Sequence, residues 1–327
     1  MTLYFAPLEG LTGEVYRQAH AALCPPADQY MTPFYSPTAM GLTKRDAASL
    51  ALCAGDGVTV PQLLTKNASD FLAAAAQLAA MGYREVNLNL GCPSGTVTAK
   101  GKGAGFLAHP NELHAFLEEV FDRVASRLPG MTVTVKTRLG YLSEDGIPAL
   151  LSMFNEYPIG EWILHPRLRC DFYRGTPRMA AFRYVAENSR APVCYNGDLF
   201  RASDVRNFSK EYPAISRVML GRGAVANPLL FGVCRGALPH DPRAVVRAFH
   251  DAVLEENLRR MGEGRNLLCR MADIWNYQIF LFRDATAAQR RIRAARNLAE
   301  YRAAVATLFR EYEFLPDGAY VPPVAAE

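Results

Sequence analysis

Glu85-Val86-Asn87-Leu88-Asn89-Leu90-Gly91-Cys92-Pro93-Ser94 alternates apolar Val86, Leu88 and Leu90 with two asparagines and then stops at Gly91 and Pro93. That is the pattern of a strand ended by a turn. In α/β folds the chemistry lies beyond the carboxyl ends of the strands, which is where this stretch puts Asn89 and Cys92. Residues 96–105 follow with Lys100, Lys102, Gly101, Gly103 and Gly105, predicting a mobile, positively charged lid over an anionic substrate. Taken alone, the stretch fits a buried cysteine ahead of a surface loop equally well.

Working outward, similar strand-like runs occupy residues 3–6, 29–34, 58–63, 86–90, 132–137, 162–165, 192–195 and 217–220. Helical patterns separate them, for example over 68–81, 110–127 and 202–212. Eight strands alternating with helices fit a (β/α)8 TIM barrel over residues 1–238 better than an open doubly wound sheet. After Pro239 the strand alternation ends. Turn signals at Pro239, Gly262-Glu263-Gly264 and Asp284-Ala285-Thr286 divide the following stretch into about four helices, a smaller all-α bundle over 239–315. Residues 316–327, rich in Pro, Gly and Ala, are expected to form a flexible tail.

The chain has 327 residues, half of them hydrophobic, and a formal charge of +4. This is enzyme-sized and compatible with a nucleic-acid partner, but far from the charge density of a dedicated nucleic-acid-binding domain. Seven scattered cysteines without a C-x-x-C pair argue for reduced thiols and against a disulfide framework, structural zinc or an iron–sulfur cluster. No apolar run approaches the ~20 residues of a membrane span, and the N-terminus runs straight into a strand, so a cytoplasmic protein is expected.

The strand ends collect polar groups. Gln62 ends the third strand, Lys136 and Arg138 share one face of the fifth, and His165 ends the sixth. Asn196-Gly197-Asp198 and Gly221-Arg222-Gly223 follow the seventh and eighth, where barrels of this class commonly hold a phosphate on glycine turns. Each residue has a bland alternative: a surface glutamine, a packing histidine, a bare turn. As an ensemble, amides, a lysine and a histidine around a phosphate site suit FMN, whose pyrimidine edge needs donors and acceptors. No carboxylate pair, Ser/His/Asp set or metal-ligand cluster competes. Arg290, Arg291, Arg293 and Arg296 cluster in the helical part, either as a solvated face or as a track for phosphates.

These motifs, in this order, resemble the dihydrouridine synthase family of flavin enzymes. Ala6-Pro7-Leu8-Glu9-Gly10 is similar to its opening A-P-M-x-G motif, and Asn89-Leu90-Gly91-Cys92-Pro93 to N-x-G-C-P. Val135-Lys136-Thr137-Arg138-Leu139-Gly140 is similar to V-K-x-R-x-G, and His165-Pro166-Arg167-Leu168-Arg169 to H-x-R-x-R. Asn196-Gly197-Asp198 and Gly221-Arg222 complete the set. Leu8, Gly13, Gly95 and Pro166 depart from the family's usual Met, Asp, basic residue and Gly. The resemblance implies FMN contacts at Pro7, Leu8, Glu9, Gln62, Lys136, His165, Asn196, Gly197, Asp198, Gly221 and Arg222. It also implies uridine contacts at Asn89, Lys136 and Arg138. The implied reaction reduces specific uridines of tRNA, or of another structured RNA, to 5,6-dihydrouridine with NADPH as hydride donor and Cys92 as proton donor. An ordinary thiol, with a pKa of about 8.5, is mostly protonated at neutral pH yet able to give up its proton. The target base must leave its stack to be reached. Candidate RNA contacts are Lys100, Lys102, Arg167, Arg169, Arg290 and Arg293, on a monomer with no metal. The competing expectation is an FMN-dependent barrel oxidoreductase acting on a small pyrimidine or enone.

Overall fold

Eight strands close a barrel in chain order: β1 (Thr2–Phe5), β2 (Gln29–Tyr35), β3 (Thr59–Leu63), β4 (Glu85–Leu90), β5 (Thr132–Gly140), β6 (Trp162–Leu168), β7 (Val193–Tyr195) and β8 (Arg217–Leu220). The computed structural model describes residues 1–322. The barrel closes through Thr2 N donating to Ser216 O and Ala6 N to Leu220 O, both at 2.8 Å. Around the strands lie α1 (Glu14–Leu23), α2 (Lys44–Ala51), α3 (Ala68–Ala80), α4 (Gly95–Thr98), α5 (Pro110–Arg127), α6 (Ile147–Phe154), α7 (Met179–Asn188), α8 (Ala202–Glu211), α9 (Arg222–Ala226) and α10 (Leu230–Arg235). Four further helices follow: α11 (Pro242–Met261), α12 (Arg265–Gln278), α13 (Thr286–Ala294) and α14 (Leu298–Glu311). The breaks before α11, α12 and α13 fall where the sequence places its turn signals, whereas the one at residues 295–297, before α14, carries no such signal.

Strand parity sorts the barrel's side chains. On β4, Val86, Leu88 and Leu90 are fully buried. The helices supply matching apolar faces: α5 starts at Pro110 and buries Leu113, Phe116, Leu117, Val120, Phe121 and Val124 at three- and four-residue spacing. The opposite parity of β4, Asn87 and Asn89, is equally buried but polar, so it has to be satisfied by its own kind. β6 runs three residues beyond the expected end at His165, because an irregularity between Arg138 and Gly140 lets pairing resume at Gly140 opposite Leu168.

Contacts divide the chain into two compact units: one of residues 1–4, 29–198 and 214–219, the other of 5–28, 199–213 and 220 onward. The sequence boundary at 238/239 is therefore not where the units divide. In the second unit α11 belongs with α1: Arg260 grips the Glu14 carboxylate at 2.7 Å, and the Tyr16 ring meets Phe249 edge-on at 5.0 Å. Trp275 and His250 both bond the Tyr301 hydroxyl, at 2.9 and 2.8 Å, inside this helical core.

The expected flexible tail is a strap over its described part. Leu315 N donates to Leu281 O at 2.8 Å, Asn227 Nδ2 holds the carbonyls of Pro316 and Gly318 at 3.0 and 3.1 Å, and the Tyr320 ring stacks on Tyr277. Residues 323–327 of the expected tail lie outside the described residues. The lid is folded as well: residues 95–108 form α4 and a 3-10 helix, Gly103–Ala108, with Ala104 and Phe106 buried. Gly103 has φ +57, and a Cβ there would come within 3.0 Å of Cys92 Cβ and O. Glycine serves close packing here rather than mobility.

Candidate active site

In the first unit a hydrogen-bonded chain climbs the barrel interior from Glu85 to Cys92. Thr134 Oγ1 donates to Glu85 at 3.0 Å, and Asn87 Nδ2 donates to Thr134 Oγ1 at 2.9 Å. Gln62 Nε2 donates to Asn87 Oδ1 at 2.8 Å, and Asn89 Nδ2 to Gln62 Oε1 at 2.7 Å. Asn89 Oδ1 ends the chain by accepting from the backbone N–H of Gly91 and Cys92, at 3.1 and 2.9 Å. The register permits this: Gln62 lies opposite Asn87, and Asn89 opposite Lys136. Asn89 thus fixes the turn that carries the half-buried Cys92. Gln62 is fully buried with both ends of its amide engaged.

Cationic groups surround this turn. Burial, and after it the Arg138 guanidinium, pulls the Lys136 ammonium down to about 8. Among the described residues Lys136 makes no side-chain hydrogen bond or ion pair. Arg138, 1 % exposed, donates to Gly91 O at 3.1 Å and Leu168 O at 2.8 Å, so it ties the β4 and β6 ends together. Its guanidinium lies 5.4 Å over the Tyr173 ring, which also faces His165 at 6.0 Å.

His165 Nε2 lies 3.0 Å from Arg167 Nη1. A guanidinium only donates, so Nε2 accepts and the ring proton sits on Nδ1. Arg167 is fully buried, and its five N–H groups are all used: on His165, on both oxygens of Asp198 at 2.9 and 2.6 Å, and on the carbonyls of Arg174 and Gly175. The expectation that Arg167 touches RNA is therefore wrong; it locks β6 to the Asn196-Gly197-Asp198 turn. Gly197 is required there because a Cβ would collide with the Tyr195 hydroxyl at 1.9 Å. Asn196 Nδ2 donates to Met219 O at 2.7 Å. Arg169 reaches Thr98 of α4 at 3.1 Å and lies over Tyr141 and Phe172. Lys100 is exposed and Lys102 half-buried.

In the second unit Pro7 and Leu8 are half-buried and Glu9 is exposed. Arg222, next to Gly221, lies between the rings of Phe200 at 5.1 Å and Tyr320 at 5.4 Å. Arg290 and Arg293 are exposed on α13. Neither makes a side-chain hydrogen bond or ion pair among the described residues.

Sequence reasoning missed Asn87, Thr134 and Glu85, although strand parity with Asn89 was the available signal. It also missed Tyr173 and Tyr320, for which no local pattern exists.

A model described as dihydrouridine synthase matches residues 4–307. The chain belongs to the dihydrouridine synthase family. Among curated relatives of this dihydrouridine synthase family chain is the tRNA-dihydrouridine(16) synthase of Pseudomonas putida, 32% identical over 47% of this chain and 46% of that one. A probable tRNA-dihydrouridine synthase 1 of Synechocystis sp. is 31% identical over 69% of this chain and 62% of that one. The chain spans about half the length of the first relatives it matches. Among solved structures, histamine dehydrogenase from Rhizobium sp. 4-9 superposes with TM-score 0.54 and 11% identity over 76% of this chain and 48% of that one. The old yellow enzyme homologue of Zymomonas mobilis gives 0.51 and 12% over 69% and 86%. At such identities the shared property is the barrel fold. Among the described residues no group of His, Cys, Asp and Glu is arranged to hold a metal, and no helix is long and apolar enough to cross a membrane.

Proposed function

We propose that this dihydrouridine synthase family member reduces uridine in tRNA to 5,6-dihydrouridine, with FMN as cofactor, NADPH as reductant and Cys92 as proton donor. The observation that carries the reading is Lys136: a largely buried ammonium without a carboxylate partner, beside the turn that holds Cys92. A buried cation in that state needs an electron-rich partner, and the pyrimidine edge of a flavin fits it. When bound, FMN supplies the hydride that reduces the 5,6 double bond.

The chain's own residues do the rest. Lys136 and the Nδ1–H of His165 offer donors to the flavin ring and the uracil carbonyls. Asn89 fixes the backbone of the Gly91-Cys92 turn through its Oδ1, which positions the residue that carries the thiol. Cys92 gives its proton to uracil C5 and recovers one from solvent. For Gln62, whose buried amide supports Asn87 and Asn89, the cofactor role rests on the family resemblance, and Asn196 to Asp198 take the phosphate side. For Pro7, Leu8, Glu9, Gly221 and Arg222, of the second unit, the cofactor role rests on the family motifs. Arg138 stays a uridine contact through donors not spent on Gly91 and Leu168. Lys100, Lys102, Arg169, Arg290 and Arg293 are the phosphate contacts of the RNA. The reading places a monomer in the cytoplasm, where tRNA is modified.

Dihydrouridine content of total tRNA and ribosomal RNA, measured by mass spectrometry with and without the gene, tests this. Loss of dihydrouridine at a defined tRNA position is expected. Unchanged content in both RNA pools overturns RNA reduction in favour of a small pyrimidine or enone substrate.

A further inference from the structure

Within the second unit, the turn after β1, α12, α13 and the C-terminal strap border an open cleft of about 730 Å³. Its aromatic wall is Tyr277 stacked on Tyr320, ring centroids 5.4 Å apart and planes 25° from parallel, with Phe280 edge-on to Tyr320 at 5.6 Å. Asp273 precedes Tyr277 by one helical turn, so its carboxylate shares the face of α12 that bears the ring. Glu9 lines the same space, and Arg293 stands at the α13 side. Among the described residues none of these three charged side chains makes a hydrogen bond or ion pair. The cleft thus combines a flat aromatic wall, two acceptor-only groups, one cation and the amides of Asn276 and Gln289, which contact each other at 3.4 Å.

That combination selects its occupant. Two carboxylates repel a phosphate placed between them, and among the described residues no set of three metal-ligating side chains exists to hold a metal ion. A flat ring whose edge carries adjacent N–H donors satisfies both the wall and a carboxylate. Among nucleobases guanine offers N1–H and N2–H side by side, a two-point match to one carboxylate. The volume is in the range of small-molecule sites and ample for a nucleotide.

We infer that this cleft holds a guanine base, stacked on the Tyr277–Tyr320 pair with its N1–H and N2–H edge on Asp273 and its phosphate at Arg293. The base comes from a nucleotide near the target uridine in the same RNA, which rests on the RNA reading above; a free guanine nucleotide presents the same edge. The site sets which RNA is accepted.

Inosine lacks the N2 amino group, so it reports this contact directly. A pool of tRNA transcripts carrying phosphorothioate-tagged inosine at random guanosines is partitioned by full-length protein, and the bound fraction is read by iodine cleavage. The wild type should deplete inosine about tenfold at one guanosine. Asp273→Asn, an exposed position expected to leave the melting temperature unchanged, should abolish that depletion while still binding RNA. Binding by the wild type without depletion at any guanosine overturns the site, as does depletion that persists in Asp273→Asn. If the wild type binds no RNA at all, the RNA reading fails separately, and a second arm decides the site. GMP bound about tenfold tighter than IMP by the wild type, and equally by Asp273→Asn, keeps the guanine site with a free nucleotide as its source. Equal binding of GMP and IMP by the wild type in that arm overturns it.

Discussion

At the residue scale, the roles proposed for Cys92 and Lys136 each have their own signature. Cys92→Ala should retain flavin and its reduction by NADPH while dihydrouridine formation falls by about 10²- to 10⁴-fold, the usual contribution of a positioned general acid; stopped-flow absorbance and RNA mass spectrometry read the two halves. For Lys136 the argument concerns pH. Its folded pKa of about 8 lies below the ordinary lysine value of 10.5, so between those values the unfolded chain binds the extra proton. The cost of burying the charge, at most about 3 kcal/mol, is present in full below pH 8 and fades towards pH 10.5. Wild-type stability should therefore rise relative to Lys136→Met across that window. Flavin affinity should move the other way, weakening above pH 8 as the ammonium is lost, with a flat profile in the variant. Both residues were legible because a cysteine just past β4 and a lysine within β5 stand out against an apolar alternation. Asn87 was not: an inward amide one step below Asn89 looks like any strand polar residue until Gln62 and Thr134 are seen on either side of it. Asn87→Leu takes one hydrogen bond from each neighbour, while Thr134 keeps Glu85 and Gln62 Nε2 keeps Met31 Sδ, so a loss of about 0.5–1.5 kcal/mol per bond is expected, and calorimetric melting should show it.

At the scale of elements, the end of β6 is the most constrained segment. The paired guanidinium of Arg167 holds the carboxylate of Asp198 and the ring of His165 at once. Asp198→Asn removes the charge from a fork that remains buried, so a destabilisation of about 3–5 kcal/mol is expected, together with lower flavin content in the purified protein. The sequence shows the strand but not its length. Pro166 reads as a terminator, whereas pairing continues to Leu168 across the irregularity opposite Arg138 to Gly140. The glycines of residues 95–108 read as freedom for the same kind of reason: a local pattern reports what glycine permits, and only the packing against Cys92 and Thr98 shows what it is used for. Most boundaries of the C-terminal helices were legible because Pro, Gly and Asp turns are local signals, whereas the start of α14, capped by Asn297 accepting from Glu300 N, was not read.

On the scale of the whole molecule, the arginines of α13 and the make-up of the second unit carry different consequences. Arg290→Ala with Arg293→Ala should reduce the slope of log affinity for tRNA against log salt by about one to two, leaving flavin content unchanged; filter binding across a salt series measures it. Truncation before Asp241 is a harsher change than the sequence suggests, because it strips α11 from α1 and leaves Glu14 and Tyr16 without Arg260 and Phe249. An insoluble product, or one melting well below the full chain, is expected, with solubility and thermal melting as the readout. The barrel count was legible from periodicity. The division of the chain was not, since contacts between residues more than two hundred positions apart leave no trace in a sequence window. That division also bears on synthesis. The first unit is complete once residue 219 has left the ribosome, but the second draws on residues 5–28 and on everything from 220 onward. At 5–20 residues per second, α1 emerges roughly ten to forty seconds before α11 exists. Throughout that interval its apolar face has Phe5 but lacks Phe249 and the rest of α11, so nascent chains stalled before residue 242 should be clients for chaperones that shield exposed hydrophobic surface, and slowing translation should lengthen that exposure.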